Sequence, residues 1–223
     1  MTAANIIVFM YPGACSRVTM SALEEIGVPY EDRCVNLGAG VQQSAEYLSI
    51  NRKGKVPMLD IDGKSLTENA AILAFLNQSH PDASLLPHGE HPIETAQGLS
   101  DLVWCSSTLH PEVRQIRAPQ KWTAGNPADV RTDGMAKFAN ECSYISGRVG
   151  DTGWWYGQRW SIIDVYLYWA YSTAAKGGFP LDNYPQLLAH LARVRARPSF
   201  QRCLARELAT VERERLPMDP GSL

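Results

Sequence analysis

"VPMLDIDGKSLTENAAILAFL", residues 56–76, reads as strand, tight turn, strand and helix in immediate succession. Val56–Ile61 and Lys64–Thr67 flank Asp62-Gly63. A two-residue Asp-Gly loop between such runs is a hairpin signal, because both central positions of the turn take positive φ. From Glu68 the period changes: Ala71, Ile72, Phe75 and Leu76 recur at helical spacing and predict a helix over residues 68–78, with those four side chains inward. Pro57 fits only the start of its strand, since it has no N–H to give the ladder.

Towards the N-terminus, Ile6 to Tyr11 is a continuous apolar run, the pattern of a buried central strand. Ser16 to Ile26 has Val18, Ala22, Leu23 and Ile26 on one helical side, with Gly27 placed to end the helix and Pro29 to prevent its resumption. Tyr30–Leu37 supplies a further strand and Ala45–Ile50 a short helix. The order over residues 1–80 is therefore β-α-β-α-β-β-α. Towards the C-terminus, residues 80–92 hold three of the fourteen prolines, which is linker chemistry. Beyond them the periodicity is helical only, near 93–115, 128–149, 161–176, 184–196 and 199–214. The expected organisation is an α/β domain (1–80), a linker (81–92) and an all-helical domain (93–223).

The 223 residues are 45% hydrophobic and 20% charged, an ordinary globular composition. A formal net charge of −2 supplies no electrostatic attraction to nucleic acid or to an anionic membrane. The basic run Arg193-Val194-Arg195-Ala196-Arg197 alternates with apolar residues and reads as a solvated helix face. No apolar stretch reaches the ~20 residues that cross a bilayer, and Met1–Asn5 lacks the basic region of a secretory signal. The five cysteines, 15, 34, 105, 142 and 203, form no C-x-x-C pair, which suits reduced thiols in the cytoplasm and no metal site.

Four segments resemble a known family in their order and separation. "YPGACS" (11–16) is similar to the "PGxCS" segment of bacterial beta-class glutathione transferases. "INRKGKVPML" (50–59) resembles the family's "N-P-x-G-x-V-P" run, "LTENAAILAFL" (66–76) its "LTES-x-AI-x-x-YL" run, and "GQRWSIIDVYL" (157–167) its "G-x-x-(S/T)-x-x-D" motif. The chain thus resembles the cytosolic glutathione S-transferases over essentially its whole length. The resemblance implies their fold, a thioredoxin-like domain followed by an all-helical one that contributes the electrophile pocket. It also implies glutathione as co-substrate, a small hydrophobic electrophile as second substrate, a detoxifying role and a homodimer.

Residue by residue, the resemblance implies a cis Val56-Pro57 peptide and a Val56 backbone turned toward the cysteinyl unit of glutathione. Glu68-Asn69 starts a helix, where unpaired N–H groups favour a carboxylate. Glu68 is expected to take the γ-glutamyl ammonium, and Asn69, where the family has Ser, to donate to the carboxylate. Without the family, Glu68 equally well serves only its helix terminus. For the glycyl end, the family's lysine has no clear equivalent, since Ala39-Gly40 fall near its place; Arg52, Lys53 or Lys55 could substitute, and Lys55 is counted among the expected binding residues. Cys15 sits where beta-class enzymes hold the glutathione sulfur, and a helix N-terminus lowers a cysteine pKa. Ser16 as hydroxyl donor and Tyr11 are alternatives at the same place; the family's tyrosine aligns with Met10. "STLHPEVRQIRAP" (107–119) resembles the segment whose histidine approaches that sulfur, which makes His110 a further candidate, although Pro111 replaces the family's Lys.

Ser161-Ile162-Ile163-Asp164 reads as a structural capping box, with Trp160 and Val165 as its hydrophobic staple. Core packing accounts for most of the late aromatic residues, Trp154 to Tyr171. The expected activity is conjugation of the glutathione thiolate to the electrophile. The alternatives are Cys15-dependent disulfide exchange, dehalogenation or thioether cleavage, and a non-enzymatic binding or regulatory protein of this fold.

Overall fold

The computed structural model describes residues 5–87 and 91–218, so parts of the terminal readings and positions 88–90 of the expected linker lie outside the described residues. Two compact units emerge: residues up to Ala83 together with those from Arg197 onward, and Ser84–Ala196. The residues from Arg197 onward, expected as part of the helical stretch 93–223, thus group with the first unit.

In the first unit β1 (Ile6–Met10), β2 (Glu31–Cys34), β3 (Met58–Ile61) and β4 (Lys64–Thr67) form a four-stranded sheet of order β2-β1-β3-β4. β1 runs parallel to β2 and antiparallel to β3, with Val8 opposite both Asp32 and Leu59. Its apolar run is explained by this central place: Val8 and Met10 are fully buried. The Asp62-Gly63 hairpin joins β3 to β4 with both turn residues at positive φ, 51° and 81°. With α1 (Ser16–Ile26), α2 (Ala45–Ile50) and α3 (Asn69–Ser79), the observed order is the expected β-α-β-α-β-β-α, a thioredoxin-like domain. Gly27 closes α1 at φ 78°, its N–H bonded to the Leu23 carbonyl at 2.9 Å.

Two helix faces differ from expectation. On α3 the inward stripe is Asn69, Ile72, Leu73 and Leu76, while Ala71 and Phe75 are exposed. Asn69 sets this rotation: its side chain bonds α1 through Thr19 Oγ1 (2.8 Å) and the Cys15 carbonyl (2.9 Å), so positions three, four and seven residues on follow it inward. On α1 every residue from Ser16 to Glu24 is buried, including Arg17, Thr19 and Ser21. The polar side of α1 is covered by α9 (Pro198–Arg213), which buries Phe200, Cys203, Leu204 and Glu207.

The second unit contains α4 (Pro92–Trp104), α5 (His110–Arg117), α6 (Pro127–Thr152), α7 (Ile162–Lys176) and α8 (Pro185–Arg195). The helix expected over 93–115 is interrupted by a π turn at Cys105–Leu109. Pro111 supplies the reason: it has no N–H to return to the preceding turn and its ring crowds the carbonyl there, so the helix widens just before it. Within the expected linker, Leu85 and Leu86 are buried and the Leu85 carbonyl accepts the Ile162 N–H at 2.8 Å.

α7 is buried over Ile162–Tyr171, and Asp164 organises its start. One carboxylate oxygen of Asp164 accepts the Ser161 N–H (2.8 Å) and hydroxyl (3.1 Å). The other accepts the Trp155 N–H (2.7 Å) and faces His190 Nε2 (2.9 Å). Trp160 and Val165 are buried beside this cap, as a staple requires. Among the described residues no helix is long and apolar enough to cross a membrane, and no group of three acidic, His or Cys side chains is placed to hold a metal ion.

Candidate active site

The first unit holds eight of the nine expected site residues: Tyr11, Cys15 and Ser16 at the β1–α1 turn, Lys55, Val56 and Pro57 in the loop before β3, and Glu68 and Asn69 at the β4–α3 corner. After Met10 the chain turns through Tyr11–Ala14, closed by the Ala14 N–H on the Tyr11 carbonyl at 3.0 Å, with Gly13 at φ 73°. Cys15 follows at the head of α1, 9% exposed, and its thiol donates to the Val56 carbonyl at 3.4 Å. A helix N-terminus carries partial positive charge, so a sulfur there is favoured as an anion.

Ser16 has a different role. It is fully buried, and its hydroxyl both accepts the Tyr11 N–H and donates to the Tyr11 carbonyl, each at 3.2 Å. That hydroxyl ties the turn to the helix it opens. Tyr11 is half-buried against Val35, Tyr47 and Val56, and burial, with Cys34 nearby, pushes its phenol above the usual range. It therefore stays protonated at neutral pH and can act only as a neutral donor.

The opposite wall is the segment 51–57. Its shape is fixed by the Lys55 carbonyl, which accepts the Asn51 amide at 2.7 Å and the Tyr47 hydroxyl at 2.8 Å. Gly54 is required there: it sits at φ 57°, and a Cβ would lie 2.6 Å from Gln43 Nε2 and 2.9 Å from the Gln42 carbonyl oxygen. The Val56-Pro57 peptide is cis, as expected. The Val56 carbonyl, expected to face a ligand, is engaged by the Cys15 thiol.

At the β4–α3 corner Glu68 adopts φ 73°, ψ 122°, a strained conformation for a residue with a side chain, and strain of this kind concentrates at functional sites. Its carboxylate pairs with Lys53 Nζ at 2.8 Å. Asn69 departs from its expected role as a carboxylate donor. Its side chain is 5% exposed and turned inward, the amide oxygen accepting from the Thr19 hydroxyl and the amide nitrogen donating to the Cys15 carbonyl. The donors left to a ligand at that corner are the first-turn N–H groups of α3, which no helix pairs internally. Lys55 acts through its backbone, and Lys53 is the cation that meets Glu68.

Two contributors carry little or no local sequence signal. Glu207 lies 194 residues beyond Gly13, yet its Oε1 accepts the Gly13 N–H at 3.2 Å. Its Oε2 accepts from Arg17 Nε at 2.9 Å and also pairs with the Arg17 terminal nitrogen. Arg17 and Glu207 are 1% and 0% exposed. The only sequence trace of Glu207 is its spacing of four from Cys203 and Val211 on an amphipathic helix. The second contributor is the Lys53–Glu68 pair, for which the sequence offers Lys53 only at the glycyl end.

His110 belongs to the second unit. There its Nδ1 lies 3.3 Å from the Tyr166 hydroxyl and its ring 4.4 Å from that of Trp169. Two residues on, Glu112 is half-buried, and burial followed by the charge of Glu141 pushes its carboxyl up to about 7. A groove of about 360 Å³ between α6 and α8 is lined by Ser143, Ser146, Gly147, Gly150, Tyr184 and Gln186 and contains none of the candidate residues.

Comparison with known proteins points to one family. Residues 4–78 match the family model described as the glutathione S-transferase N-terminal domain. The chain is 28% identical over 208 residues to glutathione S-transferase GstA of Escherichia coli O157:H7, covering 89% of this chain and 97% of that one. It is 30% identical over 186 residues to the maleylacetoacetate isomerase of Rhizobium meliloti, covering 81% and 86%. Among solved structures, a sphingomonad glutathione S-transferase complexed with glutathione superposes with a TM-score of 0.79 at 28% identity, covering 90% of this chain and 98% of that one.

Proposed function

The chain belongs to the glutathione S-transferase family, and we propose that it is a glutathione-dependent enzyme that joins the glutathione thiolate to a small hydrophobic electrophile. The observation that carries this reading is the Cys15 thiol, at the head of α1 and 3.4 Å from the carbonyl of Val56 beside the cis-proline. A cysteinyl ligand laid along Val56 brings its sulfur to Cys15 and to the positive end of α1. That environment favours the thiolate at neutral pH. Catalysis then consists of holding a stabilised thiolate against a bound electrophile: a carbon–sulfur bond forms and the leaving group departs with its electron pair. Cys15 is assigned to the glutathione sulfur ahead of Ser16, whose hydroxyl is spent within the turn, and of Tyr11. A homodimer is part of the proposal. It is supported by exposed apolar residues on α4, where Ile93, Leu99 and Val103 are 65%, 50% and 46% exposed.

A second reading is favoured by the 30% identity to a protein named maleylacetoacetate isomerase. In it the same thiolate adds to the carbon–carbon double bond of a cis-enoate, the single bond so formed rotates, and elimination returns the trans product and glutathione.

Parallel assays separate the readings. Wild-type protein is expected to conjugate an aryl halide with stoichiometric halide release and glutathione loss. Isomerisation of a cis-enoate at constant glutathione, without conjugation, replaces the first reading with the second. Reduction of hydroxyethyl disulfide alone, abolished in Cys15→Ala, assigns the protein to thiol-disulfide exchange. Failure of all three together with failure to bind glutathione overturns the enzymatic reading.

A further inference from the structure

We propose that the electrophile is an organic anion and that Arg114 of α5 binds its carboxylate. This rests on the transferase reading above and narrows its small hydrophobic electrophile to a flat one that carries a negative charge.

On α5, His110, Arg114 and Arg117 recur at spacings of four and three residues, so they share one side of the helix. Val113 and Ile116, both fully buried, form the core side roughly a quarter turn away. Arg114 is half-buried, whereas Arg117 and Lys121 beyond it are exposed. Elsewhere Arg17, Arg33, Arg197, Arg202, Arg206 and Arg213 each pair with a carboxylate. Arg114, Arg117 and Lys121 pair with none among the described residues. Arg131 Nε donates to the Ile116 carbonyl at 3.1 Å, which brings a fourth cation to the end of α5. From Val113 to Arg131 the only acid is Asp129, and Asp133 further along α6 is held by Lys137.

A helix C-terminus carries about half a negative charge, so the last carbonyls of α5 account for one of these cations and leave the others uncompensated. What the cluster lacks is an anion. Arg114 is the cation best placed to order one: partial burial reduces the screening of its charge, and its planar fork binds a carboxylate through two parallel hydrogen bonds. Four residues back, about 6 Å along the axis, the His110 ring is backed by that of Trp169 at 4.4 Å, and its Nδ1 lies 3.3 Å from the Tyr166 hydroxyl. Trp169 and Tyr166 are themselves buried. The imidazole is thus a flat, supported surface beside a cation, which complements an aromatic carboxylate with its ring on His110 and its charge at Arg114. An electrophile without the charge meets the same ring and leaves Arg114 unpaired, so the site selects the acid.

Steady-state kinetics with 4-chloro-3-nitrobenzoate and its methyl ester, at saturating glutathione, test this. With both probes the thiolate attacks the carbon that bears chlorine, and chloride leaves with its electron pair. The ester is the more activated ring, so the comparison is of KM. The wild-type KM is expected to be about tenfold to a hundredfold lower for the acid, the range of a hydrogen bond between charged groups, and the gap to shrink as salt is raised. Arg114→Gln should bring the two KM values together. Arg114→Lys, which keeps the charge without the fork, should restore part of the gap. A gap that survives in Arg114→Gln, or a lower melting temperature with the gap unchanged, assigns Arg114 to the helix terminus and overturns the proposal. So does a wild-type protein that conjugates the ester with a KM equal to or below that of the acid; the transferase reading then stands without it. Wild-type protein that conjugates neither probe overturns both.

Discussion

Replacing Glu207 by Ala tests whether the buried ion pair holds the β1–α1 turn. The substitution leaves the Arg17 guanidinium, 1% exposed, without its carboxylate and removes the acceptor of the Gly13 N–H. Breaking a buried pair from one side costs about 3–5 kcal/mol, because the remaining charge stays desolvated. At roughly 2–4 °C per kcal/mol for a chain of this size, the melting temperature should fall by about 6–20 °C. Removing both charges is a different perturbation: Arg17→Met with Glu207→Leu fills similar volume, strands no ion and should recover most of the loss. Glu207→Gln, which keeps an acceptor for Gly13 but not the charge, should fall between. Urea unfolding followed by tryptophan fluorescence gives the stabilities, and the alkylation rate of Cys15 in the folded proteins reports the turn. A loss under about 1 kcal/mol in Glu207→Ala, or a double variant no more stable than the single one, would refute the reasoning.

Ser16→Ala should lower stability by about 1 kcal/mol, since its hydroxyl serves only the Tyr11 backbone. The pH profile of conjugation should not move; an alkaline shift would put Ser16 on the glutathione sulfur instead. Glu112 gives a pH-dependent prediction. Its folded pKa of about 7 lies above the ordinary 4.5, raised by burial and Glu141 against Lys137, so the folded state binds more protons than the unfolded one between those values. Stability from this group is full below about pH 4.5 and lost as the pH rises through 7. Glu112→Gln should therefore raise the melting temperature at pH 8 relative to wild type and leave it nearly unchanged at pH 4.

The sequence by itself determined the elements and their order. The apolar run of β1, the Asp62-Gly63 hairpin, Gly27 after α1 and the Ser161–Asp164 box each act within a few residues, through φ preference, period and capping, so each can be read where it stands. The neighbourhood of Cys15, Val56, Pro57 and Glu68 was legible for the same reason, as motifs that carry their own local geometry. What only the tertiary structure decided is which way the polar side chains face and with whom they pair. Asn69 reads as a ligand donor until Thr19 and Cys15 are seen to claim its amide. Ser16 reads as a thiolate donor until its hydroxyl is found on Tyr11. Glu207 reads as one more charge on an amphipathic helix until α9 buries it against Arg17 and Gly13. Buried polar groups must find partners, and those partners are set by proximity in space, which for Gly13 and Glu207 spans 194 residues of chain that no local pattern can cross.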